Sequence, residues 1–243
     1  MNKSCIVIPC YNEAKRIELH HFYDFIEREE QFDFCFVNDG SRDNTAEVLR
    51  EATRQHPGRL LLVDNADNRG KAEAVRSGVL HVASLQRYDT IGFLDADLAT
   101  PLEELYLLAG VMNQHPEAIM TMGCRLKRLG ATVQRKAYRH YMGRVFATVV
   151  SVLYNLPVYD TQCGAKLFKA TIITTAFGTP FFSPWFFDVE MLLRIRKHYP
   201  DYTGRVHEVP LNTWIEKGDS RIKFSHLLKL PKELYVIYRH YRS

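Results

Sequence analysis

The chain has 243 residues, 46% hydrophobic and 25% charged, with a formal net charge of +4 at pH 7. That length and balance exclude a disordered chain, a fibrous repeat and a small disulfide-stapled scaffold, and predict one globular unit with a core of its own. Five cysteines, odd in number and without a C-x-x-C pair, exclude a disulfide framework and a zinc knuckle and read as reduced thiols of a cytosolic protein.

The first apolar run, SCIVIP, is too short for a signal peptide and is predicted as a strand. A helix is expected from Glu13 to Glu30, then the strand FDFCFVN, a helix from Asp43 to His56, and the strand LLLVD. A helix from Lys71 to Leu85, the strand TIGFLDAD, a helix from Pro101 to His115 and the strand AIMTMG complete the regular part. Strand and helix in alternation predict an α/β fold, a mostly parallel central sheet flanked by helices, with ligands beyond the carboxyl ends of the strands.

Past about residue 125 the pattern loosens into a long helical stretch, the segment DTQCGAKLF, an aromatic loop and an amphipathic C-terminal helix. The longest apolar stretch, Val145 to Val158, is broken by Asn155 and Pro157, so no transmembrane helix is expected. Residues 125–144 carry a charge of +7 and residues 217–243 one of +5, which leaves −8 for the remainder. With Tyr138, Tyr141, Leu227, Leu228 and Leu230 interleaved, the two basic segments read as a face for an anionic membrane surface or as solvated helix faces. No nucleic-acid-binding module accompanies them, so no nucleic acid partner is expected. The histidines show no metal-ligand spacing along the chain and read as ordinary helix or core residues.

Polar clusters fall where the strands end: PCYNE, NDGSRDNT, DNRGKAEA and DADLAT. Strand periodicity puts Asp95 and Asp97 on one side. Two carboxylates at that range raise each other's pKa unless a cation answers them, and a hard divalent ion would bridge them to phosphate oxygens. The blander role for Asp97 is to cap the helix near Pro101. Asp39 leaves its strand positioned for a ligand, whereas Asp43 reads as a cap for the next helix. Gly70 and Lys71 open a helix and offer amides and an ammonium to a phosphate.

Together IPCYNEAKRI, NDGSRDNT, NRGKAEAVRSG, DADLAT, DTQCGAKLF, WFFDVEMLLR and WIEKGDSRIKF resemble the inverting glycosyltransferases that include dolichyl-phosphate glucosyltransferases and mannosyltransferases, over nearly the whole chain. The resemblance implies a GT-A type nucleotide-diphospho-sugar transferase fold in a single domain, with a nucleotide-binding half, 1–124, and an acceptor-binding half, 125–243. It implies transfer of a hexose from a nucleotide sugar to a polyprenyl or dolichyl phosphate. UDP-glucose comes first and GDP-mannose second, because DTQCGAKLF with WFFDVEMLL looks nearer the glucosyl branch, as does Ala99 where mannosyl enzymes often carry an extra polar ligand. Ala14 departs from the family, which often has a second acidic residue there.

By the same resemblance Pro9, Tyr11, Asn12, Glu13 and Asp39 would line the base and ribose pocket, and Lys71 would sit near the base or diphosphate. Asp95 and Asp97 would hold Mg²⁺ or Mn²⁺ on the diphosphate, and Ser220 and Arg221 would belong to a loop on its other side. Gln162 would meet the sugar, and Lys166 is either part of that site or a surface residue. Arg125, Arg135 and Arg139 suit an acceptor phosphate, since a guanidinium pairs bidentately with phosphate oxygens. Asp97, Asp188 and Arg221 are the expected catalytic residues. A lipid phosphate is already an anion and needs no protein base, whereas a sugar hydroxyl needs one, for which Asp188 is the candidate. The other role open to Asp188 and Glu190 is to serve a helix dipole, and a non-catalytic nucleotide-sugar-binding protein is the remaining reading. The expected location is cytoplasmic, peripheral on the inner face of a membrane.

Overall fold

The structure, a computed structural model, describes residues 3–217 and 230–241. Seven strands form the main sheet: β1 (Ser4–Cys10), β2 (Phe32–Asp39), β3 (Leu60–Asn65), β4 (Thr90–Phe93), β5 (Met120–Cys124), β7 (Lys166–Lys169) and β8 (Val206–Pro210), in the order β3-β2-β1-β4-β7-β5-β8. Every neighbouring pair is parallel except those of β7, which runs antiparallel to β4 and β5. Strand β6 (Thr132–Gln134) pairs in parallel with β9 (Thr213–Ile215) as a separate ribbon. The five strands expected from the sequence all form.

Strands β1 and β2 are apolar almost throughout because both faces are covered. Cys5 and Val7 of β1 point into one core, and Ile6, Ile8 and Cys10 into the other. Helices α1 (Leu19–Arg28), α2 (Thr45–Gln55) and α4 (Glu104–Gln114) cover the second face through Phe22, Phe25, Leu49, Leu105 and Leu108. The first is covered by α3 (Lys71–Ser84), α6 (Ile173–Phe177) and α7 (Phe187–His198), joined by parts of α5 (Ala137–Tyr154) and α8 (Leu230–Tyr241). All five cysteines are buried and unpaired, as expected of reduced thiols.

Three boundaries differ from expectation. Helix α1 starts at Leu19 rather than Glu13, because residues 13–17 form a turn in which the Glu13 carbonyl accepts the amides of Arg16 and Ile17. Likewise α4 starts at Glu104 rather than Pro101. Strand β4 ends at Phe93, so Asp95 and Asp97 lie in a turn closed by the Leu98 amide on the Asp95 carbonyl, with Leu98 left-handed at φ 50°. A turn, not strand alternation, sets their geometry.

The chain runs outward from β1 to β3 and resumes on the other side of β1 with β4, so the strand order reverses between β1 and β4. Loops leaving strands on either side of such a switch point diverge and open a crevice. Antiparallel β7 adds to it from the far side: Lys166 at its start is in register with Phe93 at the end of β4, which brings residues 160–166 to the crevice. Gly40, at φ +60°, closes the loop beyond β2 against the backbone of Asp67 and Asn68, where a Cβ would collide. Gly40→Ala is therefore expected to cost about 1–3 kcal/mol in urea unfolding, the sum of left-handed strain and the displaced backbone.

Candidate active site

Five charged side chains meet beyond β4. Lys71, first residue of α3, puts its Nζ 2.5 Å from Asp95 Oδ1. Asp188, in the first turn of α7 and 6% exposed, takes Lys166 Nζ on Oδ1 at 2.6 Å. Asp97 accepts the Ala99 amide at 3.0 Å. Three aspartates thus share two lysines. Desolvation opposes the charge on Lys71, but Asp95, Asp188 and Asp97 outweigh it and raise its pKa. Asp97 stays undercompensated: desolvation and then the Asp95 charge push its pKa up. Asp188 is raised too, by burial, against the pull of Lys166 and Lys71. Gly164 lets this group close up, because a Cβ there would run into the Asp95 carboxylate.

Lys166 is 0% exposed, which rules out the surface role. Its ammonium also donates to the carbonyls of Thr161 (3.1 Å) and Cys163 (2.5 Å), so it ties the residues before β7 to α7. Gln162 stands in that segment and donates to the Trp185 carbonyl at 3.4 Å. Glu190 faces away from the cluster: 0% exposed, it holds the Phe182 amide, Arg194 and the Tyr241 hydroxyl, a structural assignment.

Across the crevice the residues expected around a nucleoside knit the loops together. Asp39, 2% exposed, accepts the amides of Arg69 (3.0 Å) and Gly70 (2.9 Å), and burial raises its pKa despite them. Asn12, left-handed at φ 53°, donates its amide to Ser41 Oγ and accepts the Arg42 amide on Oδ1. The Glu13 amide goes to Thr45 Oγ1. Asp43, read as a cap, accepts the Thr45 amide at the start of α2 and also the Ala14 amide. Pro9 ends up half-buried at the exit of β1, with Tyr11 half-buried just beyond.

The three arginines expected at an acceptor phosphate part company. Arg125 forks onto Asp160 through Nε (2.6 Å) and Nη2 (2.8 Å), and its own amide adds a third bond to Asp160. Burial alone would raise the Asp160 carboxyl, but these contacts bring it to about 2. Arg139 pairs with Glu216 at 2.6 Å. Among the described residues Arg135 has no ion-pair partner; desolvation and neighbouring Arg125 lower its pKa, though a guanidinium stays charged. It packs on Gly143 of α5 and lines a small cavity with His140, Arg144 and Tyr159. Arg144 stacks on Tyr159 with its guanidinium carbon 3.4 Å from the ring centre. Arg125 and its partner Asp160 line the same cavity, and burial lowers the His140 pKa, so the positive charge left for an anion is that of Arg135 and Arg144. Ser220 and Arg221 lie outside the described residues.

The sequence profile described as Glycosyl transferase family 2 matches residues 5–177. The chain belongs to that family. A dolichyl-phosphate beta-glucosyltransferase of Trichomonas vaginalis is 33% identical over 98% of this chain and 71% of its own. The yeast Saccharomyces cerevisiae and human proteins of the same name are 28% and 27% identical, each over 96% of this chain and covered to 73% and 74% of their own length. In fold, the glycosyltransferase resembles the glucosyl-3-phosphoglycerate synthase of Mycobacterium tuberculosis, solved with Mn²⁺, UDP and glucosyl-3-phosphoglycerate: TM-score 0.71 at 14% identity, over 99% of this chain and 80% of that one. This bears out the GT-A type fold expected above.

Of the residues singled out in this transferase's sequence, Lys71, Asp95, Asp97 and Asp188 come together in one cluster. Lys166 completes it and is the one that sequence reasoning left undecided. A lysine at the head of a short strand gives no sign of burial until that strand is known to be antiparallel and central. Asp160, in the same segment, has no role assigned by the sequence, and Glu208 was missed for a similar reason. Glu208 on β8 accepts the amides of Tyr159 (2.7 Å) and Asp160 (2.5 Å), a contact between segments about fifty residues apart.

Proposed function

We propose that this glycosyltransferase moves glucose from UDP-glucose to a dolichyl or polyprenyl phosphate, with inversion and with the help of Mg²⁺ or Mn²⁺. The observation that carries the reading is the undercompensated pair Asp95 and Asp97 facing Lys71 at the sheet's switch point, in a chain similar over nearly its full length to dolichyl-phosphate beta-glucosyltransferases. Two carboxylates that a single ammonium does not neutralise, both oxygen donors, fit a hard divalent ion. Asp95 and Asp97 would hold that ion, and its contribution would be to neutralise charge on the departing diphosphate.

The chain's own residues do the rest. Pro9, Tyr11, Asn12, Glu13 and Asp39 surround the base and ribose; Lys71 adds a positive charge beside the diphosphate, where the leaving group's charge grows. Gln162 and Asp188 bind sugar hydroxyls, with Asp188 held in place by Lys166. The acceptor phosphate is received by Arg135, with His140 and Arg144 around it. Being an anion already, it attacks the anomeric carbon without a protein base. The alternative, Asp188 as base for a hydroxyl acceptor, is disfavoured because its carboxylate already holds a buried ammonium at 2.6 Å. Ser220 and Arg221 remain proposed diphosphate contacts.

A lipid acceptor also needs a membrane face. No helix among the described residues is long and apolar enough to cross a membrane. Helix α5, beside the Arg135 cavity, leaves Tyr138, Tyr141, Met142, Val145 and Val152 exposed, and Lys136 and Arg139 lie just before and on its first turn. Such a face lies in the plane of an anionic interface. The C-terminal helix α8, expected to share the task, packs inward through Ile237 and through its Leu234 carbonyl, which accepts the Tyr154 hydroxyl, and leaves Tyr235 and Val236 exposed.

The test is radiolabelled sugar transfer with UDP-glucose or GDP-mannose as donor and dolichyl phosphate or a free sugar as acceptor. Label should pass to the organic phase only with UDP-glucose and dolichyl phosphate, and Arg135→Ala should raise the KM for the lipid phosphate about 10–100-fold, the loss of one charged contact. Transfer to the free sugar but not to the lipid would overturn the reading.

A further inference from the structure

We propose that His115, Glu117 and His207 form a second metal site, for a zinc-class divalent ion, at the end of the sheet away from the crevice. His115 directly follows α4, Glu117 lies in the turn into β5, and His207 is the second residue of β8. Because β5 and β8 run parallel to each other and to β4, their starts lie at the opposite end of the sheet from Asp95 and Asp97.

One ligand atom from each of the three residues lies within 4.8 Å of the other two. A tetrahedral zinc ion with bonds of about 2.0–2.2 Å sets its ligand atoms about 3.3–3.5 Å apart. His115 Nδ1 and Glu117 Oε1 already stand at 3.4 Å. The two imidazoles stack with centroids 4.5 Å apart and planes 22° from parallel. Because an ion lies near the plane of each imidazole that binds it, coordination by both requires the rings to turn out of this stack.

A second observation is independent of that spacing. Among the described residues the buried Nε2 of the half-buried His207 has no hydrogen-bond partner, and Thr121, its register partner on β5, carries another buried unpaired oxygen. A buried polar atom left without a partner is costly, and a metal ion is a partner an imidazole nitrogen accepts. The backbone is fixed around the site: the Ala118 amide donates to the His115 carbonyl, and the Ile119 amide to the carbonyl of Arg205. His115 and Glu117 are about half exposed, which gives an ion an entry path and leaves a coordination position for water.

Two imidazoles with one carboxylate favour zinc, cobalt, nickel or copper over magnesium or calcium, unlike the all-oxygen pair in the crevice. Bound there, the ion would staple the end of α4 and the entry to β5 onto edge strand β8. Sequence spacing gives no hint of this, since the third ligand comes from a distant strand.

The test is a Co²⁺ titration of the metal-stripped full chain carrying Asp97→Ala, which breaks the crevice pair and keeps the result independent of the proposed transfer reaction. One equivalent should bind with the visible absorption of low-coordinate cobalt, be displaced by Zn²⁺ and resist Mg²⁺. Adding Glu117→Gln, a half-exposed position, should weaken binding about tenfold or more, and adding His207→Ala should abolish the band. Zn²⁺ should raise the melting temperature of Asp97→Ala, and by less when Glu117→Gln is added to it. An absent band, or one of equal strength with Glu117→Gln and His207→Ala, would overturn the proposal.

Discussion

Asp97→Ala will lower the rate of sugar transfer by about 10²–10³-fold or more while leaving the metal-free fold as stable or slightly more so. The two effects have one cause. Desolvation and the neighbouring Asp95 charge raise the Asp97 pKa in the folded state, so the ionised carboxylate is less comfortable there than in the unfolded chain. A group shifted upward stabilises the fold at low pH and withdraws that contribution as pH rises through its folded value. Without divalent ions, Asp97 should therefore withdraw stability as pH is raised through the acidic range, so the melting temperature of Asp97→Ala should gain on that of the unsubstituted chain as pH rises. A variant that loses activity because it melts early would instead point to a structural Asp97.

Lys166→Met will destabilise the protein by about 3–5 kcal/mol, because it leaves Asp188 buried without its ammonium and strips the carbonyls of Thr161 and Cys163 of their donor. Chemical denaturation measures this directly. Pairing it with Asp188→Leu removes both charges at once and should recover most of the lost stability, as replacement of a whole buried pair often does. Activity should not return in the double variant. Asp188 also lies within electrostatic reach of Lys71 and Asp95, so its carboxylate is part of the crevice and not only a packing partner. Recovery of both stability and transfer would assign the pair to the fold alone.

The half of the fold built from successive strand–helix units was legible because each strand there is covered on both faces and reads as an unbroken apolar run, and each strand exit carries its polar cluster. Lys71, Asp95 and Asp97 stand near one another as those exits imply. What was hidden depends on pairing between distant segments. The strands β7 and β8 are short, and only the antiparallel insertion of β7 between β4 and β5 reveals that Lys166 is buried. Arg125 and Arg139 look like phosphate ligands in a basic stretch until Asp160 and Glu216 are found opposite them. The turn holding Asp95 and Asp97 escaped strand periodicity because β4 stops at Phe93, two residues before Asp95, and the turn closes through a left-handed Leu98 that no local pattern announces.

The most direct test is calorimetry of UDP against the chain and against Asp97→Ala, each with Mn²⁺ and with a chelator. An ion held between the carboxylates of the crevice and the diphosphate requires UDP to bind the unsubstituted chain at least about tenfold more tightly with Mn²⁺, and requires Asp97→Ala to lose that gain. Equal affinity in manganese and in chelator would contradict it.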